Sequence, residues 1–135
     1  MVFYYQRLRE GITTMTNHIY LMKDEKRNFA LFKVGFTTNL EKRFYFYTSH
    51  NPLIECISYI RTYEKSKRLT EKMIHQEIKA KGYEFVTAKI DGKTTEFFKV
   101  DYNDSFYKEL NEKGLNAFKF TKNRKNLGCY VLSGE

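Results

Sequence analysis

Two apolar runs, HIYLM at 18–22 and ALFKVGF at 30–36, flank the polar stretch DEKRN at 24–28, a pattern that predicts a β-hairpin. Side chains alternate between the two faces of a strand, so the runs also predict which residues share a face. Ile19 and Leu21 fall together on one face, as do Phe32, Val34 and Phe36, and both sets suit a core. Tyr20 and Lys33 fall on the other face, with Gly35 leaving open space beside them. A cation and a glycine on a strand of this kind need a reason, and a cleft supplies one. The next helix raises the same question, because its Arg43 sits among aromatic residues.

That helix is predicted from Thr38-Asn39-Leu40-Glu41, which fits a capping box, and it runs to about Ser49 before Asn51-Pro52 stops it. Leu40, Phe44 and Tyr47 make its apolar stripe, and Arg43 lies at the boundary of the buried face. IECISYIRT at 54–62 reads as a third strand, and residues 64–81 as a long helix ended by Gly82. On that helix Glu71 and His75, four apart, share a face beside Ile78. Residues 84–100 read as a further hairpin about the Asp91-Gly92 turn, and 103–113 as a short helix ended by Gly114. The tail alternates at its start, where it would add an edge strand, and carries the basic run TKNRKN. The fold class is therefore α+β: a small antiparallel central sheet flanked by helices, with the additional hairpin near 84–100. The chain divides into an N-terminal arm (1–16), a core (17–100), and a C-terminal helix and basic tail packed on the core (101–135).

Charge narrows the partner. The 24 Lys and Arg outnumber the 16 Asp and Glu, for a net charge of +8, so a polyanion is the first partner to consider. Nucleic acid comes first and an anionic membrane surface second; no apolar run approaches the ~20 residues that a membrane span needs, and no membrane partner is expected. Cys56 and Cys129 stand apart without metal-ligand spacing, which fits a reducing, intracellular setting and argues against zinc and disulfides. MVFYYQRLRE does not read as a signal peptide.

Five pieces in order carry a resemblance: HIYLM (18–22), KVGFTTNLEKR (33–43), Asn51-Pro52, EKMIH (71–75) and EFF (96–98). Together they resemble the GIY-YIG nuclease superfamily, and most closely its phage and viral branch with a K-x-G second motif. His18 stands where that family has the first glycine, and Lys33 where many members have a tyrosine. The resemblance implies a metal-dependent endonuclease that hydrolyses DNA phosphodiester bonds with one divalent ion, Mg²⁺ or Mn²⁺. By position, Glu71 would bind the ion, the single matched carboxylate facing the cleft. Tyr20 would be the general base, with Lys33 favouring its phenolate, and Arg43 would clamp the phosphate. Tyr47 would assist, His75 would touch phosphate or brace the site, and Gly35 and Glu96 would be structural parts of the motifs.

Nucleic acid would also be held by Lys42 and by Lys122, Arg124 and Lys125 of the tail. DNA is the expected polymer, with RNA also open, and a duplex would be cut by a homodimer or by sequential visits of one site. Taken singly, each residue has an ordinary explanation. Tyr20 is one of eleven tyrosines, Lys33 a solvated strand lysine, Arg43 a stacking residue, and Glu71 one charge on a charged helix. The rival class is a non-catalytic nucleic-acid-binding module on the same fold, for which Lys33 is the best support. A third reading, a protein-interaction domain, accounts for the aromatic richness but for none of the spacing.

Overall fold

The structure, a computed structural model, describes residues 17–62, 67–119 and 129–131. The arm at 1–16 and the tail cations Lys122, Arg124 and Lys125 lie outside the described residues. The predicted hairpin is present as β1 (Asn17–Glu25) and β2 (Phe29–Thr37), closed by a bond from the Lys26 amide to the Phe29 carbonyl. Helix α1 (Leu40–His50) and strand β3 (Glu55–Thr62) follow, then helix α2 (Lys67–Ala80). Strands β4 (Phe85–Thr87) and β5 (Thr94–Asp101) lead to helix α3 (Ser105–Lys113), a 3₁₀ turn (Gly114–Ala117) and β6 (Cys129–Val131). All neighbours pair antiparallel in one six-stranded sheet of order β4-β5-β2-β1-β3-β6. The α+β class is thus as expected, and the hairpin near 84–100 extends the central sheet instead of standing apart from it.

Alternation along β1 sorts the core into two clusters on opposite faces. Ile19 and Leu21 join Phe32, Val34, Ile60 and Phe98 under α2 and α3, which contribute Ile74, Ile78, Phe106 and Leu110. Phe32, Phe98 and Phe106 stack in sequence, with ring centroids 6.0 and 6.5 Å apart. On the other face Tyr20 and Met22 meet Leu40 and Phe44 of α1, together with Ile54 and Tyr59. Burying a side chain the size of Phe44 contributes roughly 1.5–3 kcal/mol, so each helix is fixed to its face by a few such residues. The edge strand of the tail is β6, which pairs with β3 through Ile60 and Val131, further along than the alternation at the start of the tail implied.

Two local expectations are corrected. The cap of α1 is Asn39, one residue later than a box based on Thr38 requires: its Oδ1 accepts from the Lys42 amide at 3.0 Å. Thr37 Oγ1 accepts from the Asn39 amide at 3.1 Å, so the strand end and the helix start share one bonded turn. The other correction concerns Asp91-Gly92. It lies inside a longer connection, where the Ala88 amide bonds to the Lys93 carbonyl, instead of forming a two-residue turn between paired strands. Asn51 ends α1 as expected, capping with its amide on the Tyr47 carbonyl and tying the helix to β1 through Asp24 at 3.0 Å. Gly82 closes α2 at φ +95°, a left-handed conformation that favours glycine.

Candidate active site

Gly35 of β2 stands opposite Tyr20 of β1, and the Tyr20 ring lies across it. A Cβ at position 35 would fall 2.6 Å from the Tyr20 hydroxyl oxygen and 2.8 Å from its Cζ, so only glycine leaves room for the phenol. Phe44 covers the other side edge-on, with centroids 5.2 Å apart, and the Tyr20 side chain is fully buried. Its hydroxyl reaches that of Tyr47 at 3.2 Å.

Tyr47 is where the polar groups meet. Lys33 Nζ donates to its oxygen at 2.8 Å, the Tyr20 hydroxyl shares a bond with it at 3.2 Å, and Arg43, one turn earlier on α1, lines the same groove. Burial alone would push the Tyr47 phenol up, but Lys33, Tyr20 and Arg43 together outweigh it and the net direction is down. Tyr20 moves the other way. Burial raises it first, and donating to Tyr47 raises it further, against a smaller opposing pull from Arg43. Burial works against the Arg43 charge, but the bonds and negative potential of the two phenols more than offset this and hold the guanidinium charged.

Lys33 does not serve Tyr20; it bonds Tyr47 and lies over the Tyr47 and Phe97 rings at 5.3 and 5.6 Å. Of the two phenols, Tyr47 is held below its ordinary value and Tyr20 above it. Outside this knot an open groove of about 550 Å³ is lined by Thr37, Thr38, Asn39, Lys42, Arg43, Phe46 and Tyr47. Lys42 and Phe46 are exposed in it, so the groove offers a cation and an aromatic face next to Arg43.

The α2 residues complete the picture from the opposite face of the sheet. One ligand atom each from Glu71, His75 and Glu96 lie within 4.8 Å of one another. The sequence reading makes Glu96 a structural part of its motif and Glu71 the single carboxylate at the cleft; the structure places two carboxylates and an imidazole together. Lys33 links this cluster to the phenols, since its Nζ is 3.5 Å from Glu96 Oε1 as well as 2.8 Å from Tyr47. Oxygen donors from two glutamates fit a hard divalent ion such as Mg²⁺ or Mn²⁺. His18, in place of the first glycine, is buried at the start of β1 with its ring edge-on to Tyr59 at 5.8 Å. Thr38 and Asn39 read in the sequence only as helix-capping residues, and Thr37 and Phe46 had no role there; the threonine-rich turn before a helix is the signal that could have marked the groove.

The T5orf172 domain matches residues 17–112 of the 135-residue chain, a span that includes Tyr20, Lys33, Arg43, Tyr47, Glu71, His75 and Glu96. The chain belongs to the T5orf172 domain family. That domain is phage-derived, is found in nuclease contexts and is associated with endonuclease-like proteins. No curated protein and no solved structure matches the chain. The match supports a role connected with nucleic acid, in keeping with the basic balance of this T5orf172 chain. No helix among the described residues is long and apolar enough to cross a membrane.

Proposed function

We propose that this T5orf172 domain is a metal-dependent endonuclease of the GIY-YIG type that hydrolyses DNA phosphodiester bonds. One observation carries the reading: Lys33 Nζ donates to the Tyr47 oxygen, which also bonds the Tyr20 hydroxyl, and Arg43 stands with Tyr47 in the wall of a basic groove. Positive charge and donors gathered at a phenol oxygen favour its anion. An ordinary tyrosine, with a pKa near ~10, is ionised in only about one molecule in a thousand at neutral pH. Tyr47 exceeds that fraction because its donors favour the anion.

Tyr47 is then the general base. A DNA phosphate enters the groove and draws Arg43 onto its non-bridging oxygens, where the planar fork matches two of them. With Lys33 and Tyr20 at the Tyr47 oxygen, the phenolate has one lone pair left for a water. The phenolate takes one proton from that water, the resulting hydroxide forms a bond to phosphorus, and the bond from phosphorus to the 3′ oxygen breaks. Lys33 remains at the phenol and adds positive charge facing the phosphate. Tyr20 positions Tyr47 and stays protonated throughout. Glu71 would hold the divalent ion. When bound, such an ion neutralises charge on the phosphate and on the departing oxygen. Lys42 meets a neighbouring phosphate.

The deciding experiment incubates the purified chain with plasmid and branched oligonucleotides in Mg²⁺, Mn²⁺ or EDTA. Cleavage with metal and none with EDTA is expected, and Glu71→Gln should abolish it while retaining DNA binding. Binding without cleavage under every metal condition would replace the nuclease by a nucleic-acid-binding module.

A further inference from the structure

Glu71 and His75 occupy successive turns of α2, and Glu96 reaches them from β5. The imidazole is held in one orientation. His75 Nε2 lies 2.8 Å from the Val34 carbonyl oxygen, and the ring packs edge-on to Phe85 at 5.2 Å. A carbonyl can only accept, so Nε2 carries the proton and the lone pair of the neutral ring is on Nδ1. A ring nitrogen fixed on a backbone carbonyl while the other stays basic is the usual arrangement of a ligating histidine. Glu96 has a second attachment, to Lys33 at 3.5 Å.

We infer that Glu71, His75 through Nδ1, and Glu96 form a three-ligand site that selects a divalent transition ion such as Mn²⁺ over Mg²⁺. The ion's place in catalysis rests on the nuclease reading above; the ligand set rests on the cluster itself. Mg²⁺ favours an octahedron of oxygens and keeps much of its water, so an imidazole adds little for it. Mn²⁺ and the later transition ions accept nitrogen alongside carboxylate, so the imidazole favours them. Two carboxylates match the charge of a divalent ion. Lys33 is the competing cation: without metal it pairs with Glu96, and an ion that takes Glu96 leaves Lys33 with Tyr47 and an incoming phosphate. Removing the Lys33 charge should therefore strengthen ion binding, the opposite of removing a ligand.

The test titrates Mn²⁺ and Mg²⁺ into the full chain without nucleic acid, by calorimetry and by electron spin resonance. The wild type should bind Mn²⁺ at least ~10-fold more tightly than Mg²⁺. Glu71→Gln, Glu96→Gln and His75→Gln should each weaken Mn²⁺ by ~10-fold or more, the scale for disturbing a ligand shell. Lys33→Met should tighten it. His75→Gln is chosen because its amide nitrogen can still donate to Val34, and only this variant should erase the preference over Mg²⁺. Nitrogen modulation of the spin echo from wild-type-bound Mn²⁺ tests the Nδ1 bond without any variant. Absence of that modulation, or unchanged Mn²⁺ affinity in both His75→Gln and Glu96→Gln, overturns the site. Cleavage supported by an ion bound through oxygen alone would overturn this ligand set and leave the nuclease reading intact. Mn²⁺ bound as inferred to a chain that cuts nothing would do the reverse.

Discussion

Substituting Gly35 by alanine adds one methyl group at the point of closest approach between β2 and the Tyr20 ring. The added carbon would sit 2.6 Å from the hydroxyl oxygen and 2.8 Å from Cζ, whereas ordinary contact begins at 3.4 Å. The phenol must therefore retreat by roughly 0.6–0.8 Å from a fully packed position, an overpacking that costs about 1–3 kcal/mol. It cannot retreat freely, because Phe44 closes the far side and the ring has no exposed surface. Replacing glycine in the unfolded chain returns about 0.4–1 kcal/mol, so a net loss of about 1–2 kcal/mol is expected. For a domain near ~100 residues that lowers the melting temperature by roughly 4–16 °C, read by circular dichroism. The Tyr20–Tyr47 bond, already 3.2 Å, should lengthen past useful range, so cleavage should fall by more than stability alone explains. Combining Gly35→Ala with Tyr20→Phe should cost less than the sum of the two, because one colliding atom is gone. A Gly35→Ala protein that melts within a degree of the parent, with additive behaviour in the double variant, would refute the placement of Tyr20 across Gly35.

Tyr47 makes the pH dependence specific. Its pKa lies below the ordinary ~10, and with its phenolate as the proposed base the rate should rise with pH and level off before pH ~10. Tyr47→Phe should remove this limb, and Lys33→Met should move it to higher pH because the bond from Lys33 is the largest factor lowering Tyr47. Stability should respond to Tyr20 with the opposite sign: its raised pKa gives stability that is full below pH ~10 and is lost as pH climbs from there towards the folded value. Tyr20→Phe should therefore soften alkaline unfolding, measured as melting temperature against pH. Arg43→Ala should lower turnover by ~10²-fold or more with a smaller effect on DNA affinity, as single-turnover kinetics would resolve. DNA affinity should fall steeply between low and moderate salt, and a flat response would remove the phosphate-contact picture.

The period-2 pattern at 18–36 was enough to separate Ile19, Leu21, Phe32 and Val34 from Tyr20 and Lys33, and both face assignments hold. The stripe of Leu40, Phe44 and Tyr47 was equally readable, since helical spacing is a local property. What was hidden depends on distance through space. Lys33 and Tyr20 share a face, yet the lysine stem reaches over to α1 and bonds Tyr47, a choice set by how closely that helix docks. Glu96 looked like hairpin trim because nothing local shows that Phe97 pairs with Lys33, the register that brings its neighbour beside α2. The displacement of the helix cap from Thr38 to Asn39 is a one-residue contest between two good capping side chains, which strand-end geometry decided.

The arrangement of α1 and α2 on opposite sides of the sheet has a cost for partial unfolding. Tyr47 and Arg43 come from one layer, Glu71 and His75 from the other, and the strands carrying Tyr20, Lys33 and Glu96 are the partition between them. Peeling either helix away would separate the residues of the proposed site, so a half-folded form is expected to lose the proposed activity. Thermal loss of activity should consequently mark the undocking of whichever layer is weaker, and a ligand spanning both would act as a clamp across the domain.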